Sequence, residues 1–510
     1  NYTDKIMING ERKVNVKTWI ENNRKVIKII SMSTLGLLAV LTFALIPINI
    51  FCANFPEWVT VLLSVLFCGG LVAYLIIFRT KLVTKIVLPI VFGLVAVVCS
   101  FLPYMVPYWN SYAFKYYDGV RLNYDEVISY EAAKEDFNAL NNHLERTHPM
   151  FKNGLTDEIK TAYNAALGRL QKRDKITVND LRREMQSVLH LMGDAHTSTY
   201  ISSLVDTYLK ALPQKYSQGY DISAINGKTV KQIYEDAKPY YCYETEDWIN
   251  IDLGSLETLD FLGYSAPFIY TWSNGENTIE ETYTASDFVS WNEFVEIRNE
   301  YHTPSEPKDF VYYDIDEQKS LAVLTLTECN YNQAYIDCVN AMFTEVKQKN
   351  IQNVAVDLRG NGGGSSMVGN EFIKYLPVDS YYDGPYDWRW GFIDFHSSPE
   401  ISNNRYNNLL FDGNVYVLTD YGSFSAAKDF AMLIQDNHLG KIVGEPSANA
   451  VNSYGEITYF YLPNTGLYIQ ISTKKWYRID STNTDEYVMP DYPCESKDSF
   501  EKLYKVIGNK

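Results

Sequence analysis

Hydrophobic and polar positions follow two different rules along this chain. Near its start lie three long apolar runs, Ile29–Phe51, Trp58–Phe78 and Ile86–Val106, none of which holds an Asp, Glu, Lys or Arg. Each approaches the ~20 residues that a helix needs to cross a bilayer core. A secretory signal would show one shorter apolar core and then polar sequence, so three successive runs predict three transmembrane helices. Flanking cations set their direction. Arg12, Lys13, Lys17, Arg24, Lys25 and Lys28 precede the first run, and Arg79, Lys81 and Lys85 follow the second, while the link between those two has no cation. The N-terminus is therefore expected in the cytoplasm and residues 110–510 outside, with Tyr104, Tyr108 and Trp109 as an interfacial belt.

Beyond the runs the periodicity changes. Ala133, Phe137, Leu140 and Leu144 recur at helical spacing up to a stop at His148-Pro149, a second helix is expected over about Asp157–Leu170, and a third from Thr177, as N-cap, to Met192. Residues 200–310 are richer in Tyr, Thr and Ile, with turn signals at Asn226-Gly227 and Asn274-Gly275, and predict small strands and loops. From Phe310 onward short apolar runs (Leu321–Leu326, Val354–Leu358, Val415–Leu418, Ile442–Val443) alternate with helical patterns near 332–348, 366–376 and 426–436. That alternation predicts an α/β sheet covered by helices. Leu462-Pro-Asn-Thr-Gly466, between two strand-like runs, reads as a hairpin. The expected organisation is a cytoplasmic segment (1–28), a three-helix anchor (29–109), a helical cap (110–200), a β segment (201–310) and an α/β core (311–510).

Composition sharpens this division. The 510 residues carry 45 Lys+Arg and 62 Asp+Glu, a net charge of −17. Residues 1–109 hold 10 basic and 4 acidic groups, a net of +6, so the remainder carries 35 against 58, a net of −23. Such an acidic surface excludes nucleic acid as the main partner and weakly disfavours acidic peptides. The chain begins at Asn1 without an initiator Met, which leads us to expect a trimmed N-terminus. Seven cysteines without C-x-x-C spacing suggest neither a zinc site nor a dense disulfide framework.

Two segments point to chemistry. In Val354-Ala-Val-Asp-Leu-Arg-Gly-Asn-Gly-Gly-Gly364 a buried strand runs into glycines just before a helix, so that successive backbone N–H groups can hold an anion or a tetrahedral oxyanion. The phosphate-loop pattern Gly-x4-Gly-Lys-[Ser/Thr] and Gly-x-Gly-x-x-Gly are both absent, and the plain alternative is a tight turn. Further on, Val415-Tyr-Val-Leu-Thr-Asp-Tyr-Gly-Ser-Phe-Ser-Ala-Ala-Lys428 again takes a strand through a Gly/Ser turn into a helix. A serine there sits at a helix N-terminus, which favours developing negative charge, although Ser423 or Ser425 can equally be an N-cap.

Together these segments, followed by Lys441-Ile-Val-Gly-Glu445, resemble the C-terminal processing/tricorn-type serine peptidase family. Gly193-Asp-Ala-His-Thr197 is similar to that family's Asp-Gly-His-Thr segment, and Ala224-Ile-Asn-Gly-Lys228 to a PDZ-like strand and turn; Leu462-Pro-Asn-Thr-Gly466 and Met489-Pro-Asp491 also fit. The resemblance spans about residues 130–500 in the family's order. It implies a crotonase-like (ClpP/crotonase) α/β core with a helical cap and a reduced PDZ-like segment that holds substrate as an added strand. It puts the nucleophile at Ser425 and the oxyanion hole at the N–H of Ala426 with that of Gly363 or Gly364. The processing branch's Lys, twenty-five residues after the serine, is replaced here by Ala450. The tricorn-like branch's His corresponds to His196. An imidazole has the most suitable unperturbed pKa to take a serine proton, and a third group should orient it. Asp194, Asp485 and Glu486 are the candidates; Glu486 corresponds to the family's late Glu, and Ala195 replaces the Ser that precedes the tricorn His.

Other readings are weaker. Ser425-Ala-Ala-Lys428 is also a Ser-x-x-Lys pattern, but the accompanying Lys-Thr-Gly is missing, and Lys428 is expected to be a solvated helix residue. His190, Asp194 and His196 lack His-Glu-x-x-His spacing for a metal, and His143 and His148 are expected to cap or pack at a helix end. The expected activity is a membrane-anchored serine endopeptidase on the extracytoplasmic side of the cell membrane, with no metal or organic cofactor, acting on peptide or membrane-bound protein substrates. The rival is a tethered binding or sensor protein that keeps the peptidase scaffold without turnover.

Overall fold

The computed structural model describes residues 21–51, 57–78, 87, 90, 117–201, 206–302, 309–390 and 393–508. It divides into two units, Asn1–Tyr117 and Asp118–Lys510. In the first, helices occupy Arg24–Phe51 and Glu57–Ile77. Among the described residues one stretch, Arg24–Leu45, is long and apolar enough to cross a membrane by length and composition; its side chains Ile29 and Val40 are both 65% exposed. The expectation of three transmembrane helices is not met by the described residues. In the second run the described residues give a shorter apolar stretch, Val65–Ile77, within the helix Glu57–Ile77. The third run, Ile86–Val106, lies outside the described residues except at Val87 and Ile90.

The second unit is a mixed α/β fold. Its central sheet has six strands in the order Val311–Asp316, Leu321–Leu326, Asn353–Asp357, Asn414–Thr419, Lys441–Gly444 and Tyr492–Pro493; the first pair is antiparallel and the others parallel. All five positions of Asn353–Asp357 are buried, as a continuous apolar strand covered on both faces must be. One face packs on the helices Gln333–Gln348, Met367–Ile373 and Ala426–Asp436 through Val339, Phe343, Phe372, Phe430 and Ile434. The other face carries Ala355, Tyr416 and Leu418 under Leu503 of the last helix, Ser499–Gly508.

The cap helices follow their sequence signals. Tyr130–Thr147 buries Ala133, Phe137, Leu140 and Leu144, with Ser129 capping Ala132 N at 3.1 Å; Val178–Leu189 starts in a capping box between Thr177 and Asp180. These helices pack on the long hairpin Tyr454–Tyr461/Tyr468–Trp476 through Phe460, Leu462, Ile469 and Ile471. The short strand Ser198–Tyr200 pairs with Tyr468–Gln470, so the segment just after His196 is stitched to that hairpin. A separate four-stranded sheet built from Asp221–Ile225, Lys228–Thr229, Phe268–Ser273 and Thr278–Tyr283 has its own core around Trp272 and Tyr270. The periodicity gave no sign of the excursion Tyr386–Trp390/Ile393–Ser397, which adds two strands to the hairpin sheet.

The hairpin tip ties the cap in place. Buried Asp136 accepts from Asn464 N at 2.9 Å, Thr465 N at 3.0 Å and the Thr465 hydroxyl at 2.6 Å. Gly466 has φ +69°, and a Cβ there would stand 1.8 Å from Val120 O. Both the left-handed backbone and the contact with another segment's backbone exclude a side chain. Gly466→Ala should lower stability by about 3 kcal/mol or more, seen as a fall in the denaturant midpoint with unchanged slope.

Candidate active site

The Asn414–Thr419 strand ends in a tight turn that fixes the two serines differently. Ser423 is fully buried; its hydroxyl donates to Leu358 O at 2.8 Å and accepts from Asp420 N at 3.0 Å, so it is structural. Ser425 caps the next helix in sequence only. Its backbone has φ +54° and ψ −123°, and its side chain makes no capping bond. A non-glycine residue in that region is strained and is kept there by its surroundings. Here the Ser425 N–H donates to Asn449 Oδ1 at 2.9 Å, and the turn aims the hydroxyl at His196 Nε2, 3.0 Å away. The two residues are 229 positions apart in the chain.

His196 follows a turn organised by Asp194. One carboxylate oxygen accepts the His196 N–H at 2.8 Å; the other accepts from His148 Nε2 at 3.0 Å, the Thr197 hydroxyl at 2.5 Å and the Ser472 hydroxyl at 2.8 Å. Burial would raise the Asp194 pKa, but the hydrogen bond and charge of His148, with His196 and Thr197, bring it down to about 2. His148 does cap a helix end, accepting from Met150 N at 3.2 Å, yet its other ring nitrogen serves Asp194. His143 stacks on Phe460 with ring centroids 4.0 Å apart, and burial lowers its pKa to about 4. Burial likewise lowers the His196 pKa, with Asp194 acting against it and the Lys428 charge adding to it. Burial in this way favours the neutral imidazole, the form that can accept a proton.

Facing the pair is the glycine loop. Gly363 has φ +98° and Gly364 φ +136°; a Cβ on Gly363 would lie 2.7 Å from Ser425 Cβ, and one on Gly364 would lie 2.4 Å from Cys329 O. Only glycine permits this approach. The Gly363 N–H is taken by Asn361 Oδ1 at 2.8 Å. Among the described residues the Gly364 and Ala426 N–H groups have no hydrogen-bond acceptor. Ala426 is also the first residue of its helix, where the dipole favours negative charge. These groups line a cleft of about 430 Å³ together with Trp248, Asn449, Tyr454 and Trp476.

The remaining sequence candidates fall elsewhere. Glu486 is exposed, and among the described residues no hydrogen bond or ion pair joins its carboxylate to His196; its backbone carbonyl accepts from Val451 N at 2.9 Å. Asp485 is exposed too, and its carbonyl accepts from Arg478. Lys428 is not solvated as expected: it is 1% exposed, paired with Asp429 at 2.7 Å and near the Ser453 hydroxyl at 3.4 Å, because the inward face of its helix buries it. His190 Nδ1 is bonded to Tyr241 O at 2.8 Å, away from Asp194 and His196. Among the described residues one other trio has donor atoms close together, Asp194, His196 and Glu244, all within 4.8 Å. All three are already engaged, Asp194 by four donors, His196 by Ser425 and Glu244 Oε2 by Ala450 N. Sequence reading missed Glu244, Asn449 and the contact of His148 with Asp194, which have no spacing signal because the residues come from different segments. Five described cysteines, Cys68, Cys242, Cys329, Cys338 and Cys494, are free thiols.

Residues 320–494 match the model of peptidase family S41. Among solved structures, a point mutant of CPAF aligns with TM-score 0.51 at 12% identity, covering 74% of this chain and 96% of that one. Mature CPAF gives 0.49 at 12% identity, covering 75% and 96%. The photosystem II D1 C-terminal processing protease gives 0.41 at 14% identity, covering 74% and 97%.

Proposed function

We propose, from the premise that this chain is a serine peptidase with a family S41 domain at residues 320–494, that Ser425 is the nucleophile and His196 the general base. What carries this reading is the 3.0 Å approach of Ser425 Oγ to His196 Nε2 across 229 positions of sequence. The hydroxyl adds to the carbonyl carbon of a peptide bond while its proton passes to Nε2. The tetrahedral oxyanion accepts hydrogen bonds from the Gly364 and Ala426 N–H groups. Collapse expels the amine, which takes the proton from His196, and water then hydrolyses the acyl-enzyme by the same relay. Asp194 holds the loop on which His196 stands. The Asp221–Tyr283 sheet presents Thr278–Tyr283 as an edge strand, unpaired on its outer side among the described residues, which suits addition of an extended peptide, as in a reduced PDZ-like segment on a crotonase-like core.

We further propose that the N-terminal apolar helix Arg24–Leu45 anchors the chain in the cell membrane and holds residues 110–510 on the extracytoplasmic side, next to membrane-bound or emerging substrates. The cation-rich flanks and the exposed apolar side chains of Arg24–Leu45, such as Ile29 and Val40, support this. A single cysteine introduced in the acidic part of the chain should react with an impermeant maleimide on intact cells; protection until lysis refutes the topology.

The activity is tested with a fluorophosphonate probe on the full chain. Labelling is expected in the wild type and absent in Ser425→Ala. A folded wild type that resists labelling would instead support a tethered binding protein.

A further inference from the structure

One atom of the base has no partner: His196 Nδ1 is buried and makes no hydrogen bond. An imidazole that accepts the serine proton at Nε2 must carry its own hydrogen on Nδ1, and leaving that N–H unpaired in a buried site is costly. Asp194 does not fill the role. Its nearer oxygen is 3.8 Å from Nδ1 and already takes the His196 backbone N–H, while its other oxygen receives three donors. A second buried orphan lies alongside: Glu244 Oε1 also has no partner. A carboxylate oxygen of Glu244, one of Asp194 and a ring nitrogen of His196 stand within 4.8 Å of one another. With Nε2 committed to Ser425, Nδ1 is the nitrogen on that side.

We propose that Glu244 is the positioning residue of His196, its Oε1 accepting the Nδ1–H and its charge stabilising the imidazolium formed when Ser425 attacks. This rests on the reading of His196 as the base. The segment that delivers Glu244 is firmly placed. Ala450 N donates to Glu244 Oε2 at 2.8 Å, the Thr245 hydroxyl to Ala448 O at 2.7 Å, and the Tyr487 hydroxyl to Glu244 O at 3.0 Å. Four residues on, Trp248 stacks on Phe424 with ring centroids 4.1 Å apart, and Phe424 in turn lies against His196 at 4.6 Å. The orienting group thus comes from the segment between the cap and the α/β core, and it arrives with a wall of the cleft.

The charged surroundings give the pairing a pH signature. Burial and the Asp194 charge push the Glu244 carboxyl up to about 8, with Lys428 and the nearby amides of Ala450 and Ala195 acting against them. Asp429 and His148 face the same cluster through Lys428 and Asp194, and the Cys242 thiol is raised by burial and by Asp194. A carboxyl and an imidazole that share one hydrogen, as proposed for Glu244 and His196, titrate as a unit. While the pair holds one extra proton, it is either a carboxylic acid donating to Nδ1 with the hydrogen on Nε2, or a carboxylate with an imidazolium. Neither form has a free Nε2. Losing that proton leaves Nδ1–H on a carboxylate and Nε2 ready for the serine, so reactivity rises as pH passes through about 8.

The test is the pH dependence of the fluorophosphonate labelling rate in the full chain, for wild type, Glu244→Gln and Glu244→Asp. The wild type should gain rate through about pH 8. In Glu244→Gln the amide oxygen accepts Nδ1–H at every pH, so this limb should vanish, and the rate at pH 9 should fall roughly 100-fold. Glu244→Asp should restore a limb, displaced from that of the wild type. An unmoved limb in Glu244→Gln overturns the proposal. Should that variant fail to fold, an unmoved limb in Glu244→Asp does the same. Labelling that survives Ser425→Ala would refute the Ser425–His196 reading itself, whereas Ser425-dependent labelling with an unmoved limb refutes the role of Glu244 alone.

Discussion

His196→Ala should lower peptide turnover, and the rate of Ser425 acylation, by roughly 10⁴-fold or more. The hydroxyl of Ser425 would keep its strained turn, its Asn449 contact and the facing amides, since none of these depends on the imidazole. What disappears is the acceptor 3.0 Å from Oγ. A serine hydroxyl without a base is a poor nucleophile at neutral pH, and the remaining rate would come from the oxyanion contacts and binding alone. Stability should change far less than activity, because the backbone bonds of residue 196 to Asp194 and Gln470 do not involve the imidazole. The measurement is kcat on a cleaved peptide beside the melting temperature. A folded variant within tenfold of wild type would exclude His196 as the base.

Asp194→Ala should cost both stability and activity. The carboxylate receives four donors in a site that is 1% exposed, so its removal leaves His148, Thr197, Ser472 and the His196 amide unpaired at once. Breaking such a buried charged network is expected to destabilise by about 3–5 kcal/mol. The pH dependence follows from the sign of the shift. The folded pKa is about 2 against an ordinary 3.8, so the ionised form is favoured by folding. That contribution is complete above about pH 4 and is lost as the pH falls towards 2. The stability gap between wild type and Asp194→Ala should therefore narrow by about 2 kcal/mol between pH 5 and pH 2. A constant gap in urea melts at the two pH values would show that Asp194 is not held ionised.

Particular elements explain what was readable and what was not. Ala133, Phe137, Leu140 and Leu144 disclosed their helix because an amphipathic helix writes its buried face at a fixed period. Val354–Leu358 and Val415–Leu418 disclosed buried parallel strands for the same local reason, to within a residue at either end. The strands Tyr386–Trp390 and Ile393–Ser397 gave no such signal, since the first joins the hairpin sheet by long-range pairing with Tyr468–Trp476 and, among the described residues, the second pairs only with the first. Lys428 was misread because a charged side chain on a helix is usually solvated, and only packing shows that its face is turned inward against Ser453.

By itself, the sequence determined the alternating α/β core, the cap helices, the glycine loop and the serine turn, along with the pairing of Ser425 with His196 that the family resemblance implies. These are properties of local periodicity and of short motifs whose backbone demands are written in residue type. The tertiary structure alone decided that Ser423 is structural while Ser425 faces the cleft, that the Gly363 amide is occupied while those of Gly364 and Ala426 are open, and that Glu486 stands apart from His196 while Glu244 stands beside it. The physical reason is that a hydrogen-bond partner is chosen by proximity in space and by burial. Neither distance along the chain nor residue type records which carboxylate the fold will bring to an imidazole.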